Sequence, residues 1–329
     1  MRLLNNNQVQ LMENLIRINQ NSIKKTLSQY LKSKYKRVIE TKDYLYAIGD
    51  IPIALVAHMD TVFEGYHGER NVYYDRHKNV MFCPQGGGFD DKAGIFSIIQ
   101  IIRKGLRPHI IFTTDEEKGC IGADKLSRMK CPFDDLRYII QLDRRGANDC
   151  VFYDCDNAEF VKYVENFGFV EAIGSFTDIC SLCPEWEVAG VNLSIGYRDE
   201  HSISEVLFVG QMLNTIDKVC IMLQEENIPK FKYIPLSYAC GKNDWFRYIR
   251  PVGEPEDKTH CHICGKEFLE EELIPVNMHN FTRKNFCIDC IPGRVDWCNS
   301  CGEAYELPAE GAQPTGLCED CWYDMYYNH

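Results

Sequence analysis

Apolar residues recur along the first 225 residues with two periods, one typical of amphipathic helices and one typical of buried strands. Helical spacing predicts one or two helices within residues 8–35, and further helices at 92–103, 122–129, 157–166 and 205–224. Continuous apolar runs predict strands at 38–40, 44–48, 51–57, 109–114, 137–142 and 191–195. Strands that alternate with helices predict an α/β fold, with a mixed, mostly parallel central sheet flanked by helices.

Cysteine residues and net negative charge are concentrated near the C-terminus. This uneven distribution predicts two domains rather than one. Of the 17 cysteines, eight lie in residues 251–329 and form four CxxC pairs. The same segment carries 5 Lys and Arg against 15 Asp and Glu, which accounts for −10 of the formal net charge of −12. Three prolines, at positions 235, 251 and 255, would interrupt regular structure around the boundary between the two parts. We therefore predict a large domain at 1–240, a linker at 241–257 and a small zinc-binding module at 258–329.

Composition also excludes several classes of protein. No run of about 18 apolar residues is present, and the N-terminus lacks the apolar core of a secretory signal. We expect a cytoplasmic location with no membrane contact, where cysteines serve as metal ligands or buried thiols rather than disulfides. The acidic charge makes nucleic acid an improbable partner.

Histidine and carboxylate residues follow four of the predicted strands. His58 and Asp60 follow the strand at 51–57, Asp115, Glu116 and Glu117 follow 109–114, Asp143 follows 137–142, and His201 lies beyond 191–195. Ligands of open α/β sheets bind at the carboxyl ends of strands, so this distribution predicts a functional site there.

Each motif also has a structural interpretation when taken alone. His-x-Asp could be a surface pair, and Gly86–Gly88 followed by Asp90 and Asp91 could be a loop with a helix cap. The chemical interpretation is that a carboxylate orients a metal-bound imidazole. Adjacent carboxylates also need a cation, or a raised pKa, to relieve their repulsion.

The order His-x-Asp, Gly-rich Asp-Asp-Lys-x-Gly, Glu-Glu, Asp, His resembles the two-zinc exopeptidase superfamily. That superfamily includes peptidase T, the carboxypeptidase-type enzymes and the bacterial leucyl-aminopeptidase type. The resemblance covers residues 10–225. Only 58 positions separate Asp143 from His201, so the lid domain that carboxypeptidase-type members insert there is absent. The resemblance therefore implies a compact catalytic domain of the aminopeptidase type.

The resemblance implies a role for each residue of the pattern. The implied ligands are His58 and Asp143 at one zinc, Glu117 and His201 at the other, and Asp90 as a bridge, with a cis peptide bond to Asp91. Glu116 would be the general base, and Asp60 would orient His58.

Further residues between the last two ligands have open interpretations. The segment 175–178 resembles one that members of the superfamily place beside the metals, so Asp178 lies near the site or caps an ordinary helix. Tyr197 and Arg198 could contact a carbonyl oxyanion or a substrate carboxylate, although a solvated loop also suits Arg198. We interpret Cys180 and Cys183 as buried thiols.

The four C-terminal CxxC pairs predict two structural zinc sites, because two pairs supply four thiolates to one tetrahedral zinc. The ligands would be Cys261, Cys264, Cys287, Cys290, Cys298, Cys301, Cys318 and Cys321. Pairing of neighbouring CxxC motifs gives zinc-ribbon-like halves and is favoured over a cross-braced arrangement. Its acidity suggests that the module contacts a protein partner.

The sequence thus predicts a zinc-dependent metallopeptidase, most simply an aminopeptidase that hydrolyses small peptides, with two catalytic and two structural zinc ions. Cobalt or manganese would also suit the His and carboxylate ligands. A carboxypeptidase or an amidohydrolase (deacylase) on the same site is an alternative. A non-catalytic binding protein that acts through its zinc module is another.

Overall fold

The computed structural model describes residues 2–66, 68–236, 258–269, 273–277, 283–287, 290, 295–297 and 304–306. Contacts within the chain define two units, Met1–Gly241 and Lys242–His329. The predicted linker at 241–257 lies outside the described residues. Within the described residues, no helix combines the length and apolar character needed to cross a membrane.

Seven helices are described in the first unit. They are α1 (Asn6–Arg17), α2 (Gln20–Lys32), α3 (Phe89–Arg103), α4 (Ile121–Ser127), α5 (Ala158–Glu165), α6 (Asp178–Trp186) and α7 (Val209–Met222). The first predicted helical segment is two helices, because Asn19 has extended backbone angles and its side chain accepts a hydrogen bond from Ser22 N–H to cap α2.

Eight strands form the central sheet, in the order β1-β2-β6-β3-β7-β10-β8-β9. They are β1 (Arg37–Glu40), β2 (Tyr44–Ile48), β3 (Ile51–His58), β6 (Pro108–Thr113), β7 (Tyr138–Arg144), β8 (Asp149–Val151), β9 (Val170–Glu171) and β10 (Gly190–Ser194). The middle strands β6, β3, β7 and β10 are parallel, whereas β2 and β8 pair with them in the antiparallel sense. This is the mixed, mostly parallel α/β sheet that the sequence predicts.

A second, antiparallel sheet was not predicted. Its strands are β4 (Tyr73–Asp75), β5 (Val80–Phe82), β11 (Tyr197–Arg198) and β12 (Val206–Phe208), in the order β11-β12-β5-β4. The prediction that the last helix begins at 205 is therefore wrong, because Val206–Phe208 pairs with Val80–Phe82 and α7 begins only at Val209.

Helix α3 is buried along almost its whole length and packs against β3 and β7. Its motif Asp-Asp-Lys-x-Gly needs the glycine for close packing, since a Cβ at Gly94 would lie 2.3 Å from Leu142 O. The start of α3 is thereby brought against the carboxyl ends of β3 and β7, which carry His58 and Asp143.

The second unit is described as three hairpins. Their strands are β13 (Lys258–His260) with β14 (Glu267–Leu269), β15 (Leu273–Asn277) with β16 (Arg283–Cys287), and β17 (Val295–Trp297) with β18 (Ala304–Glu306). A hydrogen bond from His262 N–H to Asn285 O (2.8 Å) joins the first two hairpins. Phe286 is fully buried there, in a small cluster with Val276 and Val295.

Candidate metal centre

His58 stands at the carboxyl end of β3 with its ring almost fully buried. Its Nε2 lies 2.9 Å from Asp90 Oδ1 and 3.4 Å from Asp143 Oδ1. The three side chains come from β3, the start of α3 and the end of β7. They form a first group of donors that could hold a metal ion.

Asp90 faces a second histidine with its other oxygen. His201 Nε2 lies 3.2 Å from Asp90 Oδ2 and 3.0 Å from Glu117 Oε2, and these residues form a second donor group. The peptide bond from Asp90 to Asp91 is cis, which confirms that feature of the resemblance. Asp90 is thus shared by both groups, as a bridging ligand must be.

The two groups match the chemistry of zinc. Ligand bonds of 2.0–2.2 Å in a tetrahedron place neighbouring donor atoms about 3.3–3.6 Å apart, and the His58 and His201 contacts are of this length or slightly shorter. Glu117 Oε1 is buried and has no hydrogen-bond partner among the described residues, so a cation would satisfy it. The residues therefore fit a pair of metal ions.

Asp60 links His58 to the loop after β6. Its Oδ1 lies 3.4 Å from His58 Nδ1, and its two oxygens accept hydrogen bonds from Glu116 N–H (3.0 Å) and Glu117 N–H (3.1 Å). Burial opposes ionisation of Asp60, but His58 and the backbone hydrogen bonds lower its pKa below the usual value. Asp60, which was predicted to orient His58, therefore also positions Glu116 and Glu117.

Asp143 is held by three side-chain donors within the described residues. The sequence singles out Tyr197 and the segment that contains Thr177, but not Gln141. Thr177 Oγ1 and Gln141 Nε2 donate to Oδ2 at 2.9 and 3.0 Å. Tyr197 donates to Oδ1 at 3.0 Å and is buried, so its hydroxyl supports Asp143 rather than facing an open substrate site. Burial, followed by the charge of Asp90, raises the pKa of Asp143 to about 6, although His58 opposes the shift.

Glu116 lies beside the first donor group, with Oε2 4.0 Å from His58 Nε2. Burial, together with the charges of Asp143 and Asp178, raises its pKa to about 9, and His58 works against this shift. The thiol of Cys120 donates to its Oε1 at 3.4 Å. A carboxyl group in this position, beside side chains that could hold a metal ion, can exchange a proton with a molecule bound there.

Histidine and lysine side chains offset part of the negative charge. Hydrogen bonds with Asp90 and Glu117 raise the pKa of His201 to about 10. Lys92 is fully buried and donates to Met59 O, and burial lowers its pKa to about 8. Even so, carboxylates outnumber basic groups at the centre, which favours bound cations.

Two carboxylates beside the centre were not assigned roles from the sequence. Asp91 accepts from His58 N–H (3.2 Å) and Gly94 N–H (2.9 Å) and is fully buried. Glu205 is almost fully buried and accepts from Asp90 N–H (2.8 Å). Asp91 could have been noticed as part of the Asp-Asp motif, whereas Glu205 carries no local signal.

The residues with open interpretations are now placed. Asp178 is fully buried at the start of α6, where Thr113 donates to it and its charge acts on Glu116, so it lies near the centre. Arg198 is exposed with its guanidinium 5.3 Å from the Phe208 ring centroid. Cys183 is buried and Cys180 is half-buried, both as free thiols.

The second unit brings together the first two CxxC pairs. The sulfur atoms of Cys261, Cys264, Cys287 and Cys290 lie within 4.8 Å of one another. This is the grouping that pairing of neighbouring motifs predicts. Burial opposes ionisation of Cys261, but backbone hydrogen bonds from Cys264 and Cys287 lower its pKa to about 6, which favours the thiolate that zinc binds. Cys298, Cys301, Cys318 and Cys321 lie outside the described residues.

Solved structures share the fold of the first unit. A tripeptidase from Staphylococcus aureus subsp. aureus mu50 is 13% identical with a TM-score of 0.52, over 66% of this chain and 97% of that one. Aminopeptidase PepT from Bacillus cereus ATCC 10987 is 14% identical with a TM-score of 0.51, over 66% and 97%. An aminopeptidase from the archaeon Desulfurococcus kamchatkensis is 14% identical with a TM-score of 0.52, over 68% and 96%.

These similarities confirm the predicted mixed α/β fold, which this chain shares with solved peptidase structures. At such identities they establish the fold alone. No protein-family model matches the sequence, and no curated protein matches it.

Proposed function

We propose that the protein is a zinc-dependent peptidase that removes residues from the amino ends of small peptides. The observation that carries this proposal is the placement of Asp90 between two histidines, His58 and His201, with one further carboxylate at each. The solved structures with the same fold support the choice of a peptide as substrate, because they are a tripeptidase and two aminopeptidases.

The ligand roles follow from the two donor groups. His58 and Asp143 would hold one zinc, Glu117 and His201 the other, and Asp90 both. When bound, the zinc pair would supply electrophilic catalysis, by lowering the pKa of water and polarising the scissile carbonyl.

Glu116 is the residue of this chain that would move the proton. Its carboxylate stands 4.0 Å from His58 Nε2 at the edge of the first group, within reach of a water at the centre. It would take the proton of that water and deliver it to the leaving amine. Asp60 would position both residues, because its Oδ1 accepts from Glu116 N–H and lies 3.4 Å from His58 Nδ1.

The second unit would hold structural zinc, one ion in the described cluster of four cysteines and another in the remaining four. The acidic charge of residues 251–329 supports contact with a protein partner more than contact with nucleic acid. The twelve described cysteines form no disulfide, which supports a reducing compartment such as the cytoplasm.

A comparison of blocked peptides tests the proposed activity. The zinc-loaded full chain would be given one dipeptide with both ends free, the same dipeptide with its amino end acetylated, and the same with its carboxyl end amidated. An aminopeptidase should cut the free and amidated peptides and leave the acetylated one intact. Cleavage of the acetylated peptide alone would indicate a deacylase or carboxypeptidase, and cleavage of none would leave only the binding function.

A further inference from the structure

Glu205 is a buried carboxylate that neither the ligand set nor the proton transfer uses. Glu205 is 1% exposed. Its Oε1 accepts a hydrogen bond from Asp90 N–H at 2.8 Å. A buried carboxylate is costly unless its position supplies compensating hydrogen bonds, so the contact with Asp90 needs an explanation.

The first turn of α3 is not capped by the residue before it, and Asp91 accepts from Gly94 N–H, beyond the kink. Gly88, the residue before the helix, has φ of 59° and no side chain to accept hydrogen bonds, and Asp90 and Asp91 depart from helical backbone angles. Glu205 Oε1 accepts from Asp90 N–H within this irregular first turn, whereas Glu205 Oε2 is buried and has no hydrogen-bond partner among the described residues. Glu205 thereby satisfies a backbone donor at the start of α3 from 115 residues further along the chain.

The glycine-rich loop makes room for this carboxylate. A Cβ at Gly87 would lie 3.3 Å from Glu205 Oε2 and 2.6 Å from the Phe89 ring. Side chains larger than hydrogen at this point would displace one or the other. Gly87 thus leaves room for the Phe89 ring and for Glu205. The neighbouring glycines pack elsewhere, Gly86 against Phe63 and Gly88 against Thr61.

Glu205 also belongs to the loop that carries the second histidine, four positions after His201. One short segment therefore supplies the candidate ligand His201 and also Glu205. The carboxylate of Glu205 holds the backbone of Asp90, the ligand proposed to be shared by both metals. We propose that Glu205 is a positioning residue of the metal centre, which fixes Asp90 relative to His201 and so prepares the site for its metal ions. The inference rests on the proposed metal-dependent function.

Cobalt(II) titration of the full, metal-stripped chain tests this role without any assay of turnover. Absorption of cobalt bound by histidine and carboxylates reports the centre of the first unit. Cobalt bound by cysteines is recognised separately by its sulfur-to-metal charge-transfer bands. The variants are Glu205→Ala and Glu205→Gln. The control is Glu40→Gln, which makes the same substitution at an exposed carboxylate that accepts from the side chain of Ser28 on α2.

Glu205→Ala should weaken cobalt binding at the centre about 10- to 100-fold, the usual effect of losing a residue that supports metal ligands. Glu205→Gln keeps an oxygen that can accept from Asp90 N–H, so it should recover most of the lost affinity. Glu40→Gln should bind cobalt as the wild type does. A purely structural role would lower the melting temperature of the alanine variant while leaving its cobalt affinity unchanged, and that result would overturn the inference.

The alanine variant could also fail to fold. Glu205→Asp then replaces it, because the shorter side chain keeps the charge but loses reach to Asp90 N–H. Weaker cobalt binding by the aspartate than by the glutamine variant supports the inference, and equal binding by both overturns it. If the wild type itself shows no cobalt at the histidine and carboxylate centre, the proposed function fails instead, so the two failures are distinct.

Discussion

The side chain of Asp60 accepts a hydrogen bond from the backbone N–H of Glu116 at 3.0 Å, which joins the end of β3 to the loop that follows β6. The other oxygen of the same carboxylate accepts from Glu117 N–H at 3.1 Å. A residue predicted only to orient His58 therefore also holds Glu116, the proposed base, and Glu117, a proposed ligand of the second metal. Its removal should disturb both metal positions at once.

Asp60→Ala should reduce zinc affinity at the centre by about 10- to 100-fold, because His58 and the two glutamates lose their common support. Competition with a chromophoric chelator measures the affinity. Asp124→Ala is the control, since it removes an exposed carboxylate paired only with Arg128 on the surface. Equal zinc affinity of Asp60→Ala and the control would contradict the linking role.

Glu116→Gln should lower the turnover of a cleavable peptide by about 10²–10⁴-fold, the range typical of losing a general base. The amide keeps the size of the side chain but cannot take a proton. Metal content by elemental analysis should remain that of the wild type.

Glu165→Gln, which changes an exposed glutamate on α5, is the matched control for Glu116→Gln and should retain full turnover. Normal turnover by the Glu116 variant, with its metal bound, would remove Glu116 from the mechanism.

Cys264→Ser should unfold the hairpins of the second unit while leaving the first unit intact. Their described apolar cluster is small, and zinc binding supplies about 10–16 kcal/mol of folding free energy in comparable modules. Hydrogen exchange should show lost protection in β13–β16 and unchanged protection in the central sheet.

Cys131→Ser provides the comparison for Cys264→Ser, because Cys131 is a free, half-buried thiol of the first unit. It should leave the protection of β13–β16 unchanged. Protection that survives in the Cys264 variant would show that the hairpins fold without this ligand.

His109 should make the first unit less stable in acid. It is buried against Phe133, with ring centroids 4.3 Å apart, and its Nδ1 accepts from Gly49 N–H. Burial lowers its pKa to about 4, while Asp50 and Asp135 oppose the shift only partly. The folded state then binds fewer protons than the unfolded chain, so stability is complete above pH 6.5 and is lost as the pH falls towards 4.

The expected loss in the free energy of unfolding is about 3 kcal/mol once the pH lies below the folded-state pKa of His109. His109→Gln keeps an acceptor for Gly49 N–H but cannot be protonated. The stability of this variant should therefore depend less on pH than that of the wild type. Urea unfolding of the wild type and of His109→Gln, from pH 7 to 4 at one zinc concentration, gives the free energy of unfolding of each. Proton effects at the metal centre are common to both proteins and cancel in the difference. Parallel curves would exclude His109 as the cause.

Local sequence patterns were sufficient for the elements that build the centre. His58 and Asp143 follow apolar runs long enough to predict buried strands, and parallel strands end at one edge of a sheet. The CxxC spacing likewise predicted the cysteine cluster, since two residues between ligands is the geometry of a zinc knuckle. In each case the signal is carried by residues close together in the chain.

Pairing between distant segments was decided by the tertiary structure. The apolar residues Val206–Phe208 continue the helical pattern of α7, yet they form β12 because β5 offers an edge to pair with. Periodicity describes which face a residue presents, but it does not reveal a pairing partner more than 100 residues away.

The sequence by itself determined the class of fold and the CxxC pairs, because apolar runs and ligand spacing are local properties, and its resemblance to a known superfamily supplied the candidate ligands of the first unit. The tertiary structure alone decided which donors support those ligands. Thr177 and Tyr197 donate to Asp143, and Glu205 accepts from Asp90 N–H. Such hydrogen bonds depend on distances of about 3 Å between segments far apart in the chain, and only the folded backbone sets those distances.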